Sequence, residues 1–285
     1  MSPGNWRGNV VAFRWQKGGS PAEEYEDAFT VNDAGMDDGE REGERDGQGN
    51  VENWDLANHP NTLRIAVADG ATESMLSGSW ARTLVKEFTD SEDDMRSCLD
   101  RALDSWPGWL QRYKTKREED EKPIAWYEEP GLARGAHATL LVAEFVLDPN
   151  SLPNRQSGTW TAVAIGDSCL FQVSDERLNC AFPLITSVDF NTSPALVHTA
   201  VEDRTLLDKH SRTRSGTWTS GDIFFLCTDA LAEWFLSTSE NDSRPWETWR
   251  DFSSGPQDFY EWVQVERQAG RLKNDDVTLL NVQFE

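Results

Sequence analysis

Cysteine is scarce and scattered in this chain. Cys98, Cys169, Cys180 and Cys227 are the only four in 285 residues, and none shows the paired spacing of a zinc site. That argues against a disulfide framework or a structural zinc, and the thiols read as reduced packing residues of a cytoplasmic protein. Long apolar runs are missing too: no stretch approaches the ~18 residues of a membrane helix. The start, Met1-Ser-Pro-Gly-Asn-Trp6, lacks a basic region leading into an apolar core. Neither a membrane partner nor a leader is expected. Basic residues are outnumbered, 27 against 50 acids, for a formal net charge of −23. Such a surface repels a phosphate backbone or an anionic bilayer, so nucleic acid is not an expected partner. Also absent are a Gly-x-Ser-x-Gly elbow, a Walker loop and the Cys-containing phosphate loop of a cysteine phosphatase, which leaves no evident covalent route. No Pro/Gly/Ser-rich linker divides the sequence, and one domain over residues 1–285 is expected.

What is present centres on Leu63-Arg-Ile-Ala-Val-Ala-Asp-Gly70, an apolar, β-branched run that ends abruptly on an acid and a glycine. It reads as a buried strand delivering the Asp69 carboxylate to its C-terminal tip. An ionised carboxylate there needs a cation, donors or water. The design recurs at Ile223-Phe-Phe-Leu-Cys-Thr-Asp229, and an acidic pair precedes a strand at Asp275-Asp276-Val-Thr-Leu-Leu280.

Along the chain, Val10–Trp15 and Ala28–Val31 read as strands, with Glu26 and Asp27 just ahead of the second. Residues 32–60 are polar and rich in Asp, Glu and Gly, and are expected as an acidic mobile loop without the spacing of a calcium EF-hand. Trp80, Leu84, Val85 and Phe88 share a helical face after the Asp-Gly turn. Met95 to Trp106 forms a second helix ended by Pro107-Gly108, and Trp109 opens a third. Ala138–Leu147 and Thr159–Ile165 read as adjacent strands, the latter turning at Gly166-Asp167-Ser168 into Cys169–Val173 as a hairpin. Residues 183–220, with Arg204, Lys209, Arg212 and Arg214, are expected as an irregular basic flap. Asp222–Thr228 is a strand, helices carry Trp234 and Trp262, and a last strand closes the chain. His137 and His198 read as structural histidines beside strands.

Acids at strand ends, with no sulfur or paired histidine among them, suit the hard cations Mg²⁺ and Mn²⁺. Two such ions about 4 Å apart can activate a water and neutralise the oxygens of a phosphate ester. The ordered set Glu26-Asp27-Ala28-Phe29, Val67-Ala68-Asp69-Gly70, Gly135-Ala-His-Ala-Thr139, Gly166-Asp167-Ser168, Thr228-Asp229-Ala230 and Asn274-Asp275-Asp276-Val277-Thr278 resembles the metal-dependent type 2C protein phosphatases, particularly bacterial members. The resemblance implies an α+β fold: a four-layer α-β-β-α sandwich of two antiparallel sheets flanked by helices. It also implies two Mg²⁺ or Mn²⁺ ions, with a third at a weaker site. Asp69 would bridge both metals and the Gly70 carbonyl would bind one. Asp229 and Asp275 would hold the other, and Glu26 and Asp27 would orient water in the metal shell. Asp167 would contribute, with Asp229, to the third site.

This sequence departs from the family at three places. Ala22 or Glu23 stands where many members carry a phosphate-clamping Arg, Ala71 follows the Asp-Gly where eukaryotic members have a His, and Ala230 replaces a Gly. No metal carboxylate is lost. The expected activity is therefore serine/threonine phosphoprotein phosphatase, acting on a phosphorylated protein opposite a cognate Ser/Thr kinase. The competing expectation is a catalytically weak phosphatase-like module that binds a phosphoprotein.

Overall fold

The computed structural model describes residues 6–21, 24–32, 51–59, 61–152, 154–190, 193–200, 204–252 and 256–285. In chain order its elements begin with strands β1 (Gly8–Trp15), β2 (Ala28–Val31), β3 (Val51–Asp55) and β4 (Thr62–Ala68), then helices α1 (Ser77–Thr89), α2 (Met95–Glu119) and α3 (Glu129–Arg134). Next come β5 (His137–Ala138), β6 (Leu140–Leu147), β7 (Ser157–Ile165), β8 (Cys169–Ser174), β9 (Arg177–Phe182) and β10 (Val197–His198). The last third holds α4 (Thr205–His210), β11 (Arg212–Thr219), β12 (Ile223–Cys227), α5 (Asp229–Glu240), α6 (Pro245–Arg250), α7 (Pro256–Gln268) and β13 (Val277–Phe284).

Two antiparallel sheets face one another. One runs β3-β1-β13-β12-β8-β9 and the other β11-β7-β6-β4-β2, with β5 and β10 forming a short separate ladder. The reason lies in alternation along the strands. Leu63, Ile65 and Val67 of β4, Leu141, Ala143 and Phe145 of β6, and Phe224, Leu226, Leu280 and Val282 of β12 and β13 all enter one core between the sheets. The opposite faces are apolar too, so each needs a further cover. Ala66, Ala68, Leu140 and Val142 lie under Trp80, Leu84 and Phe88 of α1 and Leu99, Ala102 and Trp106 of α2. Phe13, Phe171, Phe225 and Leu279 lie under Phe235 of α5, Trp249 of α6 and Phe259 and Val263 of α7. The result is the expected four-layer sandwich. No helix among the described residues is long and apolar enough to cross a membrane.

Several local expectations are overturned. α2 does not stop at Pro107 but continues to Glu119. A proline inside a helix costs about 3 kcal/mol; here Trp106 stacks on Trp109 at 4.6 Å and Trp109 on Tyr113 at 5.5 Å, tying the two turns together across it. Gly166-Asp167-Ser168 is not a hairpin tip, because β7 and β8 belong to different sheets and the link crosses the sandwich. The hairpin is instead β8–β9, turning at Asp175 and Glu176, both with positive φ. Within the polar stretch expected as a loop, Val51–Asp55 pairs with β1 as an edge strand; residues 33–50 lie outside the described residues. The segment expected as a basic flap contains β10, α4 and β11, and β11 pairs along its whole length with β7. Its positive charge is used locally: Arg204 pairs with Asp100 and Asp104 of α2, and Arg212 donates to the Pro183 carbonyl.

Candidate active site

Asp69 leaves β4 at one end of the sandwich, and its backbone is clamped by two motifs distant in sequence. Its N–H donates to Thr139 Oγ1 at 3.0 Å, its carbonyl accepts from Thr139 N–H at 2.8 Å, and Thr139 Oγ1 in turn meets Ser168 Oγ at 2.9 Å. Gly70 is required by crowding: a Cβ there would lie 2.9 Å from the Glu26 carbonyl and 2.8 Å from the Ser77 backbone. The Asp-Gly turn is thus pressed against the segment that carries Glu26 and Asp27.

The other acids arrive by different routes. Asp167 sits in the link from β7 to β8, where Gly166 at φ +111 brings the chain round against Thr139. Asp229 begins α5, its Oδ1 accepting from the Ala230 N–H at 2.6 Å. The Asp275-Asp276 pair divides its labour. Asp276 turns inward and accepts from the backbone N–H groups of Lys17 and Glu26, each at 2.7 Å, while Asp275 faces the cavity. Half-buried Arg267 holds this loop from behind by donating to the Asp275 and Gln16 carbonyls.

Asp69, Gly70, Asp167, Asp229 and Asp275 line one cavity of about 680 Å³, together with His137, Arg134 and Lys273. Glu26 lies in an adjoining hollow that shares Thr72 and Asp275 with it, its carboxylate accepting from Ser77 Oγ. Asp27 is buried behind them. One of its oxygens accepts from Thr228 Oγ1 at 3.1 Å and Thr278 Oγ1 at 2.8 Å, and the other, Oδ1, has no partner among the described residues. All the acids that the sequence singled out therefore converge on one end of the sandwich.

Their electrostatics record that convergence. Burial, then the charges of Asp27, Asp229, Asp167 and Asp275, holds the Asp69 carboxyl well above the usual carboxylate range. Burial and Asp276 do the same to Asp27. Asp167 is pushed up to about 7 by burial and Asp229. Asp229 is raised by burial, against the opposing charge of Lys273 and with Asp275 adding to the rise. Burial also raises Glu26.

Lys273, two residues before Asp275, was not singled out by the sequence reading; its Nζ lies 2.8 Å from Glu233 and 3.6 Å from Asp229. Lys17 reaches Asp275 at 3.7 Å. His137, expected to be structural, does sit in a ladder opposite His198, but it also lines the cavity. Burial and His198 lower its pKa, which favours the neutral ring. The positions of the missing clamp, Ala22 and Glu23, lie outside the described residues.

Among the described residues no three His, Cys, Asp or Glu side chains are gathered closely enough to hold an ion as they stand. The donor set nonetheless fits hard divalent cations. It consists of oxygen alone, its carboxylates repel one another, and one buried oxygen, Asp27 Oδ1, has no partner among the described residues.

The S. agalactiae serine/threonine phosphatase superposes on the chain with a TM-score of 0.53 at 11% identity, over 97% of this chain and 99% of that one. The chain has the type 2C phosphatase fold. The photosystem II phosphatase PBCP (TM-score 0.51, 14% identity, 98% and 99% covered) and the Mycobacterium tuberculosis serine/threonine phosphatase PstP (0.50, 14%, 98% and 99%) share it. No family model matches the sequence, and no curated protein matches it. This type 2C sandwich is therefore shared in structure at identities that carry the fold alone.

Proposed function

We propose that the protein is a metal-dependent serine/threonine phosphoprotein phosphatase. The observation that carries the reading is the gathering of Asp69, Asp167, Asp229 and Asp275 around one cavity, where burial and neighbouring carboxylates raise the pKa of Asp69, Asp167 and Asp229. Asp69, Asp229 and Asp275 are assigned as catalytic, through the water that they and the ions hold. Asp69, the Gly70 carbonyl, Asp229 and Asp275 are assigned to a pair of Mg²⁺ or Mn²⁺ ions, with Glu26 and Asp27 orienting water around them and Asp167 joining Asp229 at a third position. When bound, such ions supply an activated water nucleophile and neutralise phosphoryl oxygens.

The rest of the chemistry falls to the chain. Thr139 and Ser168 fix the Asp69 backbone, and Asp276 fixes Glu26. The Ala230 N–H in the first turn of α5 offsets part of the burial that raises Asp229, since helix N–H groups favour an anion. On this reading water is the nucleophile and no phosphoenzyme forms.

The test is hydrolysis of an aryl phosphate and a phosphoserine or phosphothreonine peptide by purified protein with Mn²⁺, with Asp69→Asn and Asp275→Asn as controls. Turnover that vanishes in both controls supports the reading, and ion binding without turnover on any phosphopeptide defeats it. The alternative, a module that binds a phosphoprotein without hydrolysing it, is favoured by one feature. Lys17 and Lys273 already approach Asp275 and Asp229 and so compete with ions for them.

A further inference from the structure

Without bound ions the cavity's carboxylates oppose a phosphate. A phosphate monoester brings two negative charges to a wall of carboxylates in a chain whose formal charge is −23, and that approach costs free energy unless a fixed cation faces it. Three basic side chains line the cavity: His137, Lys273 and Arg134. His137 is held toward its neutral form by burial and His198. Lys273 is occupied by Glu233 and Asp229. Arg134 differs from both. Among the described residues no carboxylate lies within ion-pairing distance of it and nothing accepts from its guanidinium. Of the other arginines, Arg64, Arg96, Arg101, Arg117, Arg204, Arg250 and Arg271 each hold a carboxylate at 3.3 Å or less, while Arg212 and Arg267 donate to backbone carbonyls.

The backbone under Arg134 is fixed. It is the last residue of α3, and the next residue, Gly135, ends that helix in a φ of +85 that a side chain rarely adopts. A Cβ on Gly131 would lie 2.4 Å from Met75 Sδ, so α3 rests directly on the loop that follows Asp69-Gly70. Beyond Gly135, Ala136 N–H donates to Thr199 Oγ1, and the β5–β10 ladder leads to Thr139, which holds Asp69. Arg134 is therefore tied through a few residues of hydrogen-bonded backbone to Asp69, which lines the same cavity.

The geometry points to Arg134 as the side chain that holds the phosphoryl oxygens of the substrate, in place of the clamp that Ala22 or Glu23 cannot provide. The assignment rests on the phosphatase reading and gives it a substrate-binding residue. A guanidinium suits this task because its planar fork bonds two phosphate oxygens at once, which an ammonium cannot.

The experiment measures inorganic phosphate binding to the Mg²⁺-loaded protein by ³¹P NMR titration, together with steady-state hydrolysis of para-nitrophenyl phosphate. Arg134→Ala is expected to weaken phosphate binding about tenfold and to raise KM by a similar factor, with kcat within about threefold of wild type. Arg134→Lys is expected to recover part of the loss, and the affinity for Mg²⁺ should not change in either variant. If wild type binds phosphate through Arg134 yet never turns over, this assignment stands while the hydrolase reading falls. Phosphate binding that is equal in wild type and Arg134→Ala, or absent from wild type, overturns it.

Discussion

Two populations of carboxylates occupy this molecule under opposite conditions. Outside the cavity, exposed Glu176 faces Arg250, buried Glu266 faces Arg271, and half-buried Glu128 accepts from the Ala125 N–H and from Arg117; each is held below the usual carboxylate range by those partners. At the end of the sandwich, buried Asp27 and Asp167 and half-buried Asp69 and Asp229 lie beside one another and are held above it. Evolution of a stable fold alone would favour the first arrangement. The second stores repulsion that a proton or a bound cation would relieve, the arrangement expected where stability is given up for chemistry.

The contrast breaks most severely at its centre. Asp69→Asn or Asp275→Asn is expected to lower kcat at least about 10²-fold in a Mn²⁺-dependent phosphatase assay, while the metal-free protein melts no lower than wild type, because a repelling charge is gone.

Next in size is the pH dependence of the metal-free protein. A carboxyl raised in the folded state binds its proton more tightly there than in the unfolded chain. Stability is then highest below the unfolded value near 4 and is lost as pH rises through the folded value. For Asp167 that window ends at about 7, and Asp27, Asp69 and Asp229 act in the same direction. Thermal melts without metal should therefore fall steadily from pH 5 to 7.5. Asp167→Asn should recover roughly 3 kcal/mol at pH 7.5 and flatten the slope. A melting temperature that rises over that range would contradict the assignment.

Much of this contrast was legible before any fold was known, because an acid ending a buried strand is costly in any structure. Asp69, Asp229 and Asp275 stood out for that reason, and so did the strands that carry them. What stayed hidden depends on contacts between distant segments. Nothing local in Gly166-Asp167-Ser168 distinguishes a hairpin from a crossing between sheets, and only the pairing of β7 with β6 and of β8 with β12 decides it. β3 and β11 are edge strands with exposed, polar residues, so neither shows the apolar run that marks a buried strand. The helix signal broke at Pro107 because a local rule ignores the aromatic stacking that spans it. Lys273 and Arg134 are ordinary surface residues by sequence and gain meaning only from the cavity they line.

A smaller effect should separate Lys273 from the surface lysines. Lys273→Met removes a cation competing for Asp229 and should tighten Mn²⁺ binding about fivefold, measured by calorimetry, since a unit charge a few ångströms away acts strongly in a partly buried site. The smallest effect belongs to the paired population: Arg250→Ala, which frees Glu176, should shift the melting temperature by about 2 °C or less and leave activity unchanged. A larger loss would mean that the surface pairs carry more than the contrast allows.

The most direct test of the convergence is calorimetric titration of Mn²⁺ into the purified protein at pH 7.5, repeated in two buffers of different ionisation enthalpy. The account predicts at least two bound ions per chain, protons released as raised carboxyls ionise, and loss of both signals in Asp69→Asn. Binding that is absent, or that survives unchanged in Asp69→Asn without proton release, would contradict it.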